Sequence, residues 1–352
     1  MKSIVEIFCN LIQVDSPTGT EDSFGSYLVE YLKDKVDIVR KDSYGNVYVR
    51  LNGTGDAVFF SAHLDTVEPG KGIKPQIKDE YIVSDGTTIL GADNKSTIAC
   101  YLQLIEELKK TKNHKTVEFV FTKEEETTSA GADNFEYPLL QAKTGFCFDS
   151  VNPIGTIITA SPYYERFDLK IQGKAAHASK PQEAINVLTV FKEILHSTAL
   201  GKLDEDTVFN IGLFNGGYVR NTIPGEMTAN GEIRGFVEEK INTHKKNFET
   251  AVKNACEKYK ATHELSFHQE NKGYKFNPDI EIITNVIEKM TAVGINPQTL
   301  DAWAVSDANI FNHKNLICVN LGDGVEFPHS KQERIKVEDM EKNLKLMVEL
   351  SL

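Results

Sequence analysis

The chain has no apolar run approaching the roughly 18–20 residues a bilayer-spanning helix needs, so a membrane-spanning role is not expected. Positive charge is in short supply: 39 Lys and Arg stand against 51 Asp and Glu, a formal net charge of −12. That balance argues against nucleic acid or an anionic membrane as partner. Cysteine is sparse and unpaired in sequence, with no C-x-x-C among Cys9, Cys100, Cys147, Cys256 and Cys318. Four of the five sit in apolar runs, the pattern of buried free thiols in a reducing compartment. No internal repeat or low-complexity tract is evident. The opening MKSIVEIFCNLIQV is not patterned as a secretory signal, because Glu6 and Asn10 interrupt it. Ile4, Ile7, Phe8, Leu11 and Ile12 fall instead on one helical face. A cytoplasmic address is the expectation.

What is present is a globular composition, 40% hydrophobic and 26% charged over 352 residues, enough for two domains. Ala57–Ala62 reads as a short buried strand that delivers His63 and Asp65 at its end. Val117–Thr122 is a second strand, running into Glu124-Glu125-Glu126, and Gly145–Phe148 a third, ending at Asp149. Residues 95–109 carry helical periodicity between the first two, and 315–321 form another apolar strand. Strands alternating with helices make an α/β domain with polar residues past the strand ends, where open sheets place their sites. The pattern then changes. Residues 163–172 alternate like a half-buried strand, 183–195 and 240–259 read as helices, and 209–214 and 227–236 as strands. That predicts an α+β insert over residues 161–272, with residues 1–160 and 273–352 forming the α/β domain. Helices over 280–290 and 337–350 complete the latter.

Taken singly, the polar residues are weak signals, since a lone histidine after a strand is usually structural. Their combination is stronger: His63-x-Asp65, Asp93, Glu124–Glu126, Asp149 and His329, mostly at strand ends of one domain. Imidazoles with carboxylates suit borderline and hard divalent cations, and a carboxylate can bridge two of them. Asp65, two residues past His63 in extended chain, can accept the free ring N–H and so fix the tautomer.

The motif strings resemble a known family. Ser61-Ala62-His63-Leu64-Asp65-Thr66-Val67, Leu90-Gly91-Ala92-Asp93-Asn94-Lys95 and Phe121-Thr122-Lys123-Glu124-Glu125-Glu126 look like signatures of the dizinc metallopeptidases that include peptidase T, carboxypeptidase G and aminoacylase. Phe148-Asp149, His177-Ala178-Ser179, Asn221-Thr222-Ile223-Pro224, Ser306-Asp307-Ala308-Asn309, Val319-Asn320-Leu321-Gly322-Asp323-Gly324, then His329 and Glu333, follow in family order. The Ser-Asp-Ala-Asn and Asn-Leu-Gly-x-Gly forms point to the peptidase T–like branch.

The resemblance implies a zinc-peptidase-like catalytic domain, its mixed sheet flanked by helices, with the insert as a lid and dimerisation domain of a homodimer. It implies two divalent ions, zinc first, with cobalt or manganese able to take the same ligands. Asp93 would bridge them, with His63 and Asp149 completing one site and Glu126 and His329 the other. The family pattern Glu-Glu-x-Gly-x-x-Gly-Ala, anchored at Gly131-Ala132, makes Glu125 the general base; a register one residue earlier is the alternative. His177 is the implied oxyanion-binding histidine supplied to the neighbouring subunit, and Asn221 and Arg234 the implied substrate-binding pair. The Asp93–Asn94 peptide is implied to be cis. A short peptide is the expected substrate, cleaved as by a tripeptide aminopeptidase. The alternatives are an N-acyl-amino-acid deacylase or carboxypeptidase of the same family, and, more remotely, a non-catalytic binding protein derived from it. The pattern is broken in three places: Thr128 for glycine, Asn94 for aspartate, and Ala304-Val305 for two glycines. His114, His196, His244, His263, His268 and His313 match no motif and read as surface or structural residues.

Overall fold

The computed structural model describes residues 3–277 and 279–352, and the chain divides into two compact units, residues 1–159 with 276–352, and residues 160–275.

The first unit is built on four mutually parallel strands in the order Val117–Thr122, Val58–His63, Thr144–Ser150, Ile317–Gly322. Antiparallel strands flank them: Val47–Leu51 and then Ile38–Lys41 beyond the first, and Thr156–Ser161 beyond the last. Val58–His63 and Val117–Thr122 are buried along their whole length, as parallel strands covered on both faces must be. Their Phe-rich sequences therefore need no alternation. Phe60 is the hub, with the rings of Tyr101, Phe119, Phe146 and Phe148 at 5.4, 5.9, 5.7 and 6.5 Å. Gly145 is required by that packing, because a Cβ there would lie 2.3 Å from the Phe59 ring. Helices Ile4–Leu11, Ala92–Leu108, Glu281–Ala292 and Val337–Ser351 contribute their apolar faces to the same core. Ser3 and Glu6 close a capping box at the start of the first.

The second unit is a five-stranded antiparallel sheet, in the order Gly201–Lys202, Thr207–Gly216, Glu226–Gly235, Tyr163–Gln172, Thr262–Asn271. Helices Val187–His196 and Glu238–Tyr259 join it around a separate core. There Phe167 meets Phe209 and Phe248 at 5.3 and 4.9 Å.

A mixed sheet flanked by helices, with an α+β unit inserted in the sequence between the two segments of the first unit, is what the sequence predicts. Several elements differ in extent. The helix expected from 183 begins at Val187, because a 3-10 turn occupies Pro181–Glu183 and the Asn186 side chain caps Leu188 N–H at 3.0 Å. The strand expected from 315 begins at Ile317, since Asn315 adopts a left-handed turn, φ 59°. Helix Asp22–Leu32 and strands Ile38–Lys41, Val47–Leu51, Thr156–Ser161 and Thr262–Asn271 were not foreseen. Cys100, Cys147, Cys256 and Cys318 are buried and Cys9 is partly so, all as free thiols.

Truncating Phe60 to Ala should destabilise the chain by about 3–5 kcal/mol, the usual cost of emptying a core aromatic site. A urea unfolding curve whose midpoint did not move would remove Phe60 as the hub of this core.

Candidate active site

Because the four central strands are parallel, their C-terminal ends fall on one side of the sheet, and the chemistry-bearing residues gather there. His63 is the last residue of its strand and Asp149 the penultimate residue of another. The strand Val117–Thr122 leads through Glu124, in the left-handed region at φ 57°, into a one-turn helix that starts with Glu125 and Glu126. Gly91, at φ 71°, turns the chain into helix Ala92–Leu108, whose first turn departs from helical geometry at Asp93 and Asn94 around a cis peptide. His329 lies on the loop after Ile317–Gly322, also left-handed at φ 58°.

Asp93 stands between the two histidines. Its Oδ1 lies 3.1 Å from His63 Nε2, and its Oδ2 lies 3.5 Å from His329 Nε2. On the first side, Asp149 Oδ1 is 3.5 Å from His63 Nε2. Asp149 is oriented by the Asn94 side-chain amide at 2.8 Å. On the second side, Glu126 Oε2 is 2.9 Å from His329 Nε2. Donor atoms of His63, Asp93 and Glu126 lie within 4.8 Å of one another, as do those of His63, Glu125 and Asp149. Glu124 is turned elsewhere, its carboxylate accepting the Tyr44 hydroxyl at 2.6 Å.

The expected partner of the His63 ring differs in detail. His63 Nδ1 is 2.9 Å from the main-chain oxygen of Asp65 and 3.4 Å from its carboxylate. The Asp65 carboxylate makes its shorter contacts to the turn opposite, accepting Glu125 N–H at 3.1 Å, Glu126 N–H at 3.2 Å and the Thr18 hydroxyl at 2.9 Å. Asp65 thus ties the histidine strand to the glutamate turn.

This concentration of acid shapes every protonation equilibrium in the cluster. Burial favours the neutral Asp93 carboxyl, but hydrogen bonds from His329 and His63 outweigh it and hold the group well below the carboxylate range. Hydrogen bonds to Asp93 and Glu126 draw the His329 imidazole up to about 10. Burial works against a charged His63, yet Asp149, Asp65 and Asp93 raise it well above its ordinary value. Burial, reinforced by the Asp149 carboxylate and only partly offset by His63, pushes Glu125 well up. The cluster draws positive charge onto its imidazoles, and those two imidazoles with the carboxylates of Asp93, Asp149 and Glu126 form a donor set that divalent zinc, cobalt or manganese can use. With one Asp93 oxygen toward each histidine, the set fits two ions sharing that carboxylate.

Several residues belong to this neighbourhood without having been assigned a role. Asp307, buried, accepts the Thr122 hydroxyl and is pushed up to about 7 by burial and by the Asp149 and Asp65 carboxylates. Lys95, fully buried, donates to the Val14 carbonyl at 2.8 Å and lies 4.5 Å over the Phe24 ring. Glu333, buried, accepts backbone N–H groups of Leu90, Gly91 and Asp93. Each sits inside a recognised motif, but a motif string does not reveal which of its members faces the backbone. Ala304 and Val305 are absent from the residues with positive φ, so this loop takes a path that needs no glycine.

The remaining expected residues lie in the second unit. His177 is exposed on the short strand Ala176–His177, its Nδ1 2.8 Å from Ser179 Oγ. That strand pairs with Thr222–Ile223, and Ala178 N–H donates to the Asn221 carbonyl at 2.9 Å, so His177 and Asn221 are neighbours. Arg234 lies apart on strand Glu226–Gly235, its guanidinium 4.1 Å from the Tyr164 ring and hydrogen-bonded to Glu232 at 3.1 and 3.2 Å.

Comparison with known proteins gives the family. Residues 59–352 match the model of peptidase family M20/M25/M40. An uncharacterised protein of Bacillus subtilis, YqjE, is 31% identical over 99% of this chain and 97% of its own length. A peptidase T of Bacillus cereus is 24% identical over 99% and 98%, and a succinyl-diaminopimelate desuccinylase of Nautilia profundicola 25% over 97% and 96%. Among solved structures, aminopeptidase PepT of Bacillus cereus superposes with a TM-score of 0.96 at 32% identity, covering 99% of this chain and 97% of that one. A tripeptidase of Staphylococcus aureus also gives 0.96, at 29% identity and 99% and 96% coverage. With the family model spanning most of its length, this chain belongs to peptidase family M20/M25/M40, as a metallopeptidase similar to peptidase T.

Proposed function

We propose that the chain removes a residue from short peptides, as a tripeptide aminopeptidase, at a centre of two divalent ions. The carrying observation is the two-sided environment of Asp93, one oxygen toward His63 and the other toward His329. In this reading Asp93 is the shared ligand, His63 and Asp149 complete one site, and Glu126 and His329 the other. Zinc ions held by these residues would supply Lewis-acid polarisation of the scissile carbonyl and of the attacking water. Glu125 takes a proton from that water and returns it to the departing nitrogen, which balances the hydrolysis. Partly buried beside Asp149 and within 4.8 Å of the His63 and Asp149 donor atoms, Glu125 is placed to hold that proton between the two transfers. The contact between Glu124 and Tyr44 supports Glu125 and Glu126 as the working pair.

The second unit supplies the rest. His177 contributes a donor to the developing oxyanion of a neighbouring subunit, while Asn221 and Arg234 hold the substrate, the guanidinium gripping a carboxylate. This requires a homodimer through the second unit. There, Leu188, Leu200, Phe214 and Tyr218 border an apolar groove of about 690 Å³, and Phe214 is 71% exposed. From Asn210 to Gly216 the outer edge of strand Thr207–Gly216 pairs with no further strand among the described residues. The free thiols fit a cytoplasmic setting; no helix among the described residues is long and apolar enough to cross a membrane. A second reading, an N-acyl-amino-acid deacylase, draws support from the desuccinylase relative and from Ala304-Val305 in place of two glycines.

Zinc-reconstituted protein should hydrolyse tripeptides, and Glu125→Gln should lose about 10²–10⁴-fold in kcat, the usual worth of a general base, while both ions stay bound. Turnover of N-acetyl or N-succinyl amino acids with an inert tripeptide panel would replace the first reading by the second. Asp65→Asn should lower kcat by about 10–100-fold, as for other groups that orient ligands. Because Asp65 is buried and holds two N–H groups of the glutamate turn, the metal-free variant should also melt lower; unchanged kcat would deny Asp65 that role. In sedimentation, Phe214→Glu should convert the dimer to a monomer with its metals retained but activity lost. A monomeric wild type with full activity would discard the shared-site arrangement.

A further inference from the structure

We propose that Glu333 is a positioning residue that sets the separation of Asp93 and His329 and thereby governs one of the two metal sites more than the other. This rests on the reading of Asp93 and His329 as ligands.

Glu333 is 1% exposed and presents both carboxylate oxygens to main chain. Oε2 accepts Leu90 N–H and Gly91 N–H, each at 2.8 Å, and Oε1 accepts Asp93 N–H at 3.0 Å. Its oxygens are therefore directed to the turn that carries Asp93. A carboxylate taken out of water needs such donors, and here all three come from the four residues that lead into the non-helical first turn of helix Ala92–Leu108.

Its own backbone belongs to the loop that carries His329. Glu326 and Arg334 close the base of that loop with reciprocal main-chain hydrogen bonds of 2.9 and 3.0 Å. Inside it, Glu333 N–H donates to the Ser330 carbonyl at 3.0 Å, and Ser330 Oγ to the Phe327 carbonyl at 2.7 Å. Phe327 and His329 are both left-handed, at φ 55° and 58°, a conformation that non-glycine residues hold only when surrounding bonds impose it. Glu333 thus joins the turn of Asp93 to the folded loop of His329, across 240 residues of sequence. The opposite side of Asp93 has supports outside that turn. His63 is the end of a buried strand, and Asp149 N–H donates to the Asn320 side-chain oxygen at 3.1 Å. Loosening Glu333 should therefore disturb the Asp93–His329–Glu126 side and leave the His63–Asp149 side in place.

The test is stepwise zinc binding to chelator-treated protein, read by competition with a chromophoric chelator, for wild type, Glu333→Gln and His329→Ala. The glutamine sets an amide N–H against backbone N–H groups while keeping size and shape. One binding step of Glu333→Gln should weaken by about 10–100-fold, the range for groups that orient ligands, and it should be the step that His329→Ala weakens. The other should stay close to wild type. Hydrogen exchange of the metal-free protein should speed up in the peptide covering residues 88–96. Should Glu333→Gln fail to fold, Glu333→Asp, which keeps the charge but shortens the reach, is measured with the same expectation. Two unchanged steps, or two steps weakened equally, would overturn the proposal. A wild type that binds fewer than two ions would instead defeat the two-ion reading. Exchange at residues 88–96 then decides alone, and an unaltered rate there would dismiss Glu333 as a positioning residue.

Discussion

The arrangement depends on one buried carboxylate with two different sides. Asp93 is held among acids, and in isolation burial would drive it neutral. What keeps it charged is an imidazole at each oxygen, His63 on one and His329 on the other. Those imidazoles come from segments more than 260 residues apart, one the end of the sheet's central strand and the other a loop near the C-terminal helix. Two distant parts of the chain must therefore reach a common point within a few tenths of an ångström. The parallel sheet provides the coarse alignment by bringing strand ends to one side. It cannot provide the fine alignment, because the residues concerned lie on turns just beyond the strands.

That fine alignment comes largely from buried carboxylates gripping main-chain N–H groups. Asp65 accepts from Glu125 and Glu126, and Glu333 from Leu90, Gly91 and Asp93. The device recurs away from the site. Glu118 accepts from Gln141 and Ala142, and the Asp42 carboxylate from Tyr44, Gly45 and Asn46. A carboxylate offers about four acceptor sites and is strengthened as an acceptor by its charge. One such side chain can therefore fix a whole turn whose N–H groups have no strand or helix to receive them. Some of the excess acid in this chain is thus internal scaffolding rather than solubilising surface.

This division explains what the sequence discloses. Val117–Thr122 and Val58–His63 were legible because strands buried on both faces read as mostly apolar runs, interrupted here by the buried Glu118 and by Ser61. The insert was legible because Tyr163–Gln172 alternates in the pleat. Strand Thr262–Asn271 was not, since its sequence THELSFHQEN is polar and its outer positions are exposed on a sheet edge. Ile38–Lys41 is short, partly charged and peripheral for the same reason. At the site, residue type and spacing picked out His63, Asp93, Asp149 and His329, which the fold brings together. The Asp65 contacts could not be read so directly. Spacing said that its carboxylate could meet the His63 ring, whereas the shorter ring contact is to its carbonyl and the carboxylate faces the glutamate turn. Backbone donors leave no trace in side-chain identity.

The same reasoning separates reaction from substrate. The candidate metal ligands and the carboxylates that hold their turns lie wholly in the first unit, and peptides and acylated amino acids would make the same demand on them: a polarised carbonyl, an attacking water, a protonated leaving nitrogen. Discrimination has to come from groups that touch the remainder of the substrate. In the proposed reading Arg234, stacked on Tyr164 and bonded to Glu232, would grip the substrate carboxylate. Yet a tripeptide and an N-acyl amino acid both carry one. In the same reading the loop Trp303-Ala304-Val305 would act differently, since a valine without positive φ adds bulk and stiffness where two glycines would leave room and freedom. Selection between the two substrate classes should therefore rest on space around the chain beyond the scissile bond, with charge fixing only its end.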